Sequence, residues 1–251
     1  MARYFLDTGA VVGVTFLHDL WFTDSRRIFD TENSFYLTPP VVYEYCNSTD
    51  ENLLRNTDID WDTEDGLFGK KLSNVRAAQI NLDLKLQSSD DDDLSIESLT
   101  DDFLEESRVK KKVDQKSIKE YIRPNIRRFI EYTVDGRELT PEVAREVMDV
   151  LCDTIQTNAR ETRKKIQNRV TESSVPSDER DPYKERFDFV DGFVDTVILS
   201  DVTWLDKKGV LSKIVTSDGS HMYGNRGRID AVAGLTVLFI KDELADASLP
   251  N

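Results

Sequence analysis

The sequence predicts an α/β protein with a parallel sheet and helices on both faces, joined to a mostly helical insertion. Short apolar runs alternate with helical patterns at both ends of the 251-residue chain, and this alternation is typical of parallel sheets. Helical periodicity dominates the middle of the chain. We therefore expect a discontinuous α/β core over residues 1–47 and 187–251, with an acidic loop and helical insertion over 48–186.

The first 47 residues predict alternating strands and helices. Two strands are expected, over residues 2–6 ("ARYFL") and 34–37 ("SFYL"). Three helices are expected, over residues 9–17, 22–29 and 39–46. The third helix has the clearest start signal, because Thr38 supplies a capping residue and Pro39 a proline at the first helical position.

The middle of the chain predicts a polar loop followed by helices. Residues 48–107 are polar and acidic, and "SSDDDD" at 88–93 is interpreted as a solvated loop, because a calcium loop needs spaced ligands and a glycine. The segment 114–134 has apolar residues at helical spacing, with a kink expected at Pro124. A long amphipathic helix is predicted over 141–170.

The last third of the chain returns to an α/β pattern. The polar stretch "TESSVPSDERDP" at 171–182 is interpreted as a linker. An apolar segment with interleaved aspartates follows at 187–199. Buried strands are predicted over 213–216 ("KIVT") and 235–240 ("LTVLFI"), separated by a turn-rich stretch.

The charge of the chain is strongly negative. There are 48 acidic and 33 basic residues, giving a net charge of −15. Nucleic-acid-binding proteins are usually basic, so we attribute the acidity to adaptation to a high-salt cytoplasm, as in a halophile. An acidic interaction segment is the alternative. Residues 108–170 run against this trend, because they carry 16 basic and 10 acidic residues.

Two absences in the sequence bear on localisation. No run of 18 apolar residues is present, so no membrane partner is expected. The N-terminus enters a strand-like segment without a charged region followed by an apolar stretch, so no signal peptide is expected either. The sequence therefore predicts a cytoplasmic protein.

Four acidic residues occupy positions where strands end or helices begin. Asp7 ends the first strand, and Glu44 lies in the helix after the second strand. Asp195 opens "DTVILSDV", and Asp218 follows the strand "KIVT". In an open α/β sheet, ligands bind outside the carboxyl ends of the strands. A cluster of carboxylates there suits Mg²⁺ or Mn²⁺, which prefer oxygen ligands.

These motifs resemble the PIN-domain nucleases, which include the toxin ribonucleases of toxin–antitoxin pairs. The resemblance is carried by "FLDTGAVVGV", "LTPPVVYEYC", "DTVILSDV" and "IVTSD", in the order of the family. It covers residues 2–47 and 187–240. The segment between the second and third motifs, 48–186, is far longer than in the small toxins. The spacing from Asp195 to Asp218 is also slightly long, so Asp191 is an alternative third acid.

The resemblance implies a PIN-like core and a metal-dependent ribonuclease. It implies that Mg²⁺ or Mn²⁺ is held by the four family acids, Asp7, Glu44, Asp195 and Asp218, and that the ion activates water for phosphodiester hydrolysis. Thr8 and Thr216 either hydrogen-bond within this site or serve only as a capping and a strand threonine. RNA is the implied substrate, and an antitoxin-like protein or a second copy of the chain is a possible partner.

The triplet Asp7-Thr8-Gly9 also matches the signature of aspartic proteases. Pepsin-like enzymes need two such triplets in one chain, and this chain has one. The single-copy retroviral enzymes are small all-β dimers with strands before the triplet, whereas only six residues precede Asp7. We therefore interpret Asp7 as a metal ligand, with a structural turn residue as a further alternative.

Two lysines are open to more than one interpretation, and two histidines are assigned to the surface. Lys164 and Lys165 lie in the basic part of the long helix, where they either bind RNA phosphates or form a solvated face. His18 and His221 are interpreted as surface residues. The function predicted is a metal-dependent ribonuclease, a toxin or an RNA-processing enzyme; the alternative is a non-catalytic binding protein on a PIN-like scaffold.

Overall fold

The computed structural model contains a five-stranded sheet in which all strands are parallel. It describes residues 2–51, 59–88, 94–111, 113–242 and 244. The tetra-aspartate run, for which a solvated loop is expected, lies outside these residues. The strands are β1 (Arg3–Leu6), β2 (Ser34–Leu37), β3 (Val170–Glu172), β4 (Lys213–Thr216) and β5 (Thr236–Phe239). The predicted parallel α/β fold is confirmed.

The strand order β3-β2-β1-β4-β5 places a topological switch point between β1 and β4. From β1 the chain moves outward to β2 and β3, and it then crosses back to add β4 and β5 on the other side. In β1, Phe5 pairs with Tyr36 of β2 on one side and with Ile214 of β4 on the other. Ligand crevices of open α/β sheets form at such a point, outside the carboxyl ends of the strands.

The helices that connect β1, β2 and β3 form one group. They are α1 (Thr8–Thr15), α2 (Phe22–Phe29), α3 (Pro39–Val42), α4 (Gly66–Leu86), α5 (Ile96–Glu106), α6 (Gln115–Ser117), α7 (Arg123–Val134) and α8 (Pro141–Arg169). Helix α8 packs against α1, α4 and α7. The π-helical turn Tyr43–Asn47 continues α3 and packs against α4.

The helices that follow β3 form a second group. They are α9 (Ser177–Lys184), α10 (Phe193–Lys207) and α11 (Arg226–Ala233). Helix α10 packs against α9, and α11 packs against β5. Parallel crossovers are right-handed, and the chain crosses the sheet in opposite directions before and after β3. The two groups therefore cover opposite faces of the sheet.

Most predicted elements occur within one or two residues of their expected bounds, but the middle of the chain differs. Helices α4 and α5 lie in the acidic stretch 48–107, for which no helix was expected. The expected linker, 171–182, is wrong: it contains most of β3, which pairs with β2, and the first part of α9. The kink expected at Pro124 takes the form of a π-helical turn, Ile118–Ile122, immediately before α7.

The core is continuous from the sheet into the long helices. It is built from buried side chains such as Phe35 in β2, Leu72 in α4, Leu151 in α8 and Ile198 in α10. The segment 48–186 thus supplies both an edge strand and part of the main core. Among the described residues, no helix combines the length and apolar character needed to cross a membrane.

Candidate metal centre

Asp7 lies at the carboxyl end of β1 and is the N-cap of α1. Its Oδ1 accepts a hydrogen bond from the Thr8 backbone N at 2.6 Å, and its Oδ2 accepts one from Thr216 Oγ1 at 2.8 Å. The side chain is only 5 % exposed. Burial, together with repulsion from Glu44 and Asp218, raises the pKa of Asp7 from 3.8 to about 7, although both hydrogen bonds oppose this rise.

Thr216 connects two of the four acids. This last residue of β4 is fully buried. Its hydroxyl donates to Asp7 and accepts a hydrogen bond from the Asp218 backbone N at 2.9 Å. The predicted hydrogen-bonding role of Thr216 within the acidic crevice therefore has a defined geometry.

Asp218 is held in a tight turn after β4. Its Oδ1 accepts hydrogen bonds from the backbone N of Ser220 at 2.8 Å, from the Ser220 hydroxyl at 2.9 Å and from the backbone N of His221 at 2.9 Å. Burial opposes its ionisation, but these hydrogen bonds and the nearby His221 outweigh it, so the pKa of Asp218 is lowered. Its Oδ1 is thus fixed by the turn.

Glu44 enters the crevice from the π-helical turn Tyr43–Asn47. Such turns are rare and occur frequently at functional sites. Burial raises the pKa of Glu44, and the neighbouring Thr8 hydroxyl partly offsets that effect. Thr8 itself is almost fully buried. The structure therefore brings both Thr8 and Glu44 to the same crevice as Asp7.

Asp195 completes the group from the first turn of α10. Burial is the largest cause that raises its pKa to about 8, and repulsion from Asp7, Glu44 and Asp218 adds to it. All four predicted acids are thus close enough to act on one another. The alternative third acid, Asp191, is exposed in the loop before α10 and does not contribute to these shifts.

His221 lies beside the acids, although the sequence pattern indicated only a surface position for it. Its Nδ1 is 3.3 Å from Asp218 Oδ2 and 3.9 Å from Asp195 Oδ2. One ligand atom from each of these three residues lies within 4.8 Å of the others. The sequence feature that could have indicated a position beside Asp218 is its place three residues after that aspartate, in a turn. The expected surface position is correct for His221, which is exposed, but wrong for His18, which is 3 % exposed.

Gly9 explains the third residue of the triplet. A Cβ atom at this position would lie 2.0 Å from Ser217 Oγ and 3.6 Å from Asp7 Oδ2. The glycine therefore lets the turn after β4 approach the first turn of α1. This close approach brings Asp218 towards Asp7 across the switch point.

Lys164 and Lys165 do not belong to this crevice. Both are exposed near the end of α8, a few residues before β3 begins. Because all strands are parallel, the start of β3 lies at the amino edge of the sheet, opposite the edge where Asp7 and Asp218 lie. Lys165 instead lines a separate cavity of about 690 Å³ between α1, α2, α7 and α8.

The donor set suits a hard divalent cation. Four carboxylates supply oxygen ligands, which Mg²⁺ and Mn²⁺ prefer. Three of them, Asp7, Glu44 and Asp195, have pKa values raised by burial. Repulsion between the carboxylates contributes to the raised pKa values of Asp7 and Asp195. A cation placed among the carboxylates would neutralise this repulsion. Among the described residues, the group of ligand atoms that lies within 4.8 Å of one another comes from Asp195, Asp218 and His221, and does not include Asp7 or Glu44. The chemistry of the residues present fits such an ion, with Asp195 and Asp218 as the carboxylates closest together.

Comparisons with known proteins give no independent indication of function. No family model matches the chain, no curated protein is significantly similar in sequence, and no solved structure is significantly similar in fold. The geometry of the acidic crevice is therefore the observation from which function is inferred.

Proposed function

We propose that this protein is a divalent-metal-dependent endoribonuclease that acts in the cytoplasm and hydrolyses phosphodiester bonds with Mg²⁺ or Mn²⁺. The observation that carries the proposal is the placement of acids at the sheet's switch point, where Thr216 connects Asp7 to Asp218 and ligand atoms of Asp195, Asp218 and His221 lie within 4.8 Å of one another. Glu44 enters the same crevice and adds to the repulsion that raises the pKa of Asp7. Mutually repelling, largely buried carboxylates cost stability unless a cation is bound. The resemblance of the four motifs to PIN-domain nucleases supports the same function.

The four acids would hold the ion, and their neighbours would fix their orientation. A bound divalent ion supplies an activated water and stabilises the charge on the scissile phosphate. Thr216 holds Asp7 Oδ2, and the turn around Ser220 holds Asp218 Oδ1, which leaves the other oxygen of Asp218 facing His221. These hydrogen bonds keep the carboxylates in place, which is how surrounding groups tune a metal site.

His221 is positioned to exchange a proton at the rim of the crevice. Its imidazole is about half exposed, and Nδ1 faces the carboxylates of Asp218 and Asp195. A histidine with this access can donate a proton to the oxygen that leaves when a phosphodiester is cleaved. We also propose a role as a toxin, with an antitoxin-like protein or a second copy of the chain as partner. This part of the proposal rests on the family resemblance alone.

The direct test is RNA cleavage by an Asp7→Asn variant. The substitution keeps the shape of the side chain but removes a charge that the ion needs. We expect cleavage of an RNA substrate in Mn²⁺ to fall by at least about two orders of magnitude, the upper range for loss of a group that supports a metal site. EDTA should abolish cleavage by the wild type.

The matched control is Asp191→Asn, which removes an exposed aspartate only four residues from Asp195. Its activity should equal that of the wild type, because Asp191 does not contribute to the electrostatics of the crevice. Cleavage that continues in EDTA, or full activity of Asp7→Asn, would contradict the proposed function. A wild type that binds RNA without cleaving it would favour the non-catalytic binding protein.

A further inference from the structure

Four partly exposed aromatic side chains extend away from the candidate metal centre. We call Trp21, Tyr121, Tyr223 and Phe239 the aromatic track. It begins at the crevice itself, because the Tyr223 backbone N donates to the Asp218 carbonyl oxygen at 3.1 Å. Phe239 lies beside the next residue, Gly219, where a Cβ atom would be 3.7 Å from Phe239 Cε2.

The first three rings of the track follow one another in contact, and the fourth is connected through Lys241. The ring centroids of Tyr223 and Phe239 are 5.1 Å apart, and those of Phe239 and Trp21 are 5.3 Å apart with the planes nearly perpendicular. Lys241 then connects Trp21 to Tyr121, because its Nζ lies 5.3 Å from the first ring centroid and 4.2 Å from the second. The track is therefore continuous from Asp218 to Tyr121.

Cations accompany both ends of the track. The guanidinium carbon of Arg226 lies 4.2 Å from the Tyr223 ring centroid, and Lys241 lies at the other end. Both cations are exposed, and among the described residues neither forms an ion pair with a carboxylate. The acid Asp242 also lies at the track, where its Oδ2 accepts a hydrogen bond from the Phe239 backbone N at 2.9 Å.

Trp21, Tyr223 and Phe239 pack against the core with part of their surface, but the track is more exposed than the core itself. The aromatic rings of the main core, such as Phe5 and Phe35, are fully buried, whereas all four rings of the track keep exposed surface. Tyr121 is 36 % exposed. Partly exposed aromatic rings with cations beside them are features that bind single-stranded nucleic acid, because bases stack on the rings and phosphates contact the cations.

We propose that the aromatic track is the surface on which bases of an RNA strand stack as the strand leaves the metal centre. This inference rests on the proposed function, because it deepens the account of the same substrate. Tyr121 comes from the π-helical turn before α7, within the segment 48–186. The long segment thus contributes to the RNA path and does not only enlarge the core. Bases must be unpaired to stack in this way, so a duplex would not use the track.

The test measures binding apart from cleavage. A fluorescein-labelled single-stranded RNA 12-mer is titrated with protein in EDTA, and its anisotropy is followed. Because Tyr121→Ala removes a ring on which a base would stack, it should weaken the affinity for the RNA by at least about fivefold. Tyr121→Phe keeps the ring and should bind like the wild type. Lys241→Gln should weaken affinity and reduce its salt dependence.

The matched control is Tyr132→Ala in α7, because Tyr132 is 84 % exposed and lies outside the track. Its affinity should be unchanged. A second readout is tryptophan fluorescence, which should be quenched by the RNA in the wild type and much less in Trp21→Phe. Melting temperatures of all variants, measured in the same buffer, show that the fold is retained.

The result expected is weaker binding by Tyr121→Ala and Lys241→Gln, with normal binding by Tyr121→Phe and Tyr132→Ala. The track is overturned if single-stranded RNA does not bind, if the track variants bind as tightly as the wild type, or if a duplex binds equally well. Cleavage in Mn²⁺ is scored separately. Binding through the track without any cleavage would refute the proposed nuclease activity while leaving the track intact.

Discussion

At the scale of single residues, the triplet Asp7-Thr8-Gly9 combines three separate physical roles. Asp7 caps α1 and faces the other acids, Thr8 lies beside Glu44, and Gly9 leaves room for Ser217. The structure places carboxylates from three other segments around Asp7, as the proposed metal site requires.

The pKa shift of Asp7 predicts how stability depends on pH without metal. Its pKa is about 7 in the folded protein against an ordinary value of 3.8. Between these values the folded state binds more protons than the unfolded state, so this group makes stability fall as pH rises from about 4 to about 8. In EDTA, Asp7→Asn should therefore become progressively more stable than the wild type across this range.

Denaturant unfolding of both proteins at several pH values measures this effect. The difference should be small near pH 4, grow on the order of a few kcal/mol by pH 8, and shrink or reverse when Mn²⁺ is added, because only the wild type keeps its full ligand set. Asp191→Asn is the control and should follow the wild type. A difference that does not change with pH would contradict the assigned electrostatics.

At the scale of elements, the sequence predicted what local patterns determine and missed what distant packing determines. Strands β1 and β4 are apolar runs that end at polar residues, and Thr140 and Pro141 mark the start of α8. Helix α4 was missed because the acidic residues on either side of it dominate the composition of 48–107. The helix itself contains a single acid, Asp83, and its buried residues recur at helical spacing. Strand β3 has only the residues Val-Thr-Glu, and it is a strand because it pairs with β2.

The same distinction holds for the candidate site. The four acids were predictable, because each follows a strand or lies near the start of a helix. The role of His221 was not, since only the turn around Asp218 turns its Nδ1 towards that carboxylate. The aromatic track was not predictable either. Its rings come from four separate segments that only the fold brings together.

The position of α8 predicts which RNAs would depend on its lysines. Lys164 and Lys165 lie towards the amino edge of the sheet, whereas the acids lie at the carboxyl edge. Charge reversal of both lysines to Glu should therefore weaken binding of a long RNA, which can reach both edges. Binding of a 12-mer should change much less. Anisotropy titrations with both lengths measure this, and equal effects on both would contradict the assigned geometry.

At the scale of the whole molecule, the net charge of −15 dominates the electrostatics of the surface. The exposed ion pairs, such as Lys85 with Asp102 and Arg137 with Glu146, are each worth about 1 kcal/mol or less and weaken as salt rises. Self-repulsion of the excess negative charge acts over the entire surface and also weakens with salt. The two effects oppose each other, so the measured salt dependence decides which one is larger.

We expect repulsion to dominate, so the melting temperature should rise with KCl. The comparison is made between about 0.1 M and 2 M KCl, at constant pH and in EDTA, so that metal binding does not contribute. A matched measurement in NaCl distinguishes general screening from a specific ion. A melting temperature that is flat or falls over this range would remove the argument for adaptation to high salt.

The central claim is that four carboxylates from separate parts of the chain hold one metal centre. The most direct measurement is the anomalous diffraction of crystals soaked in Mn²⁺, compared between the wild type and Asp7→Asn. We predict a strong peak among Asp7, Glu44, Asp195 and Asp218 in the wild type, and a weak or absent peak in the variant. No peak at that position in the wild type, or an unchanged peak in Asp7→Asn, would contradict the account.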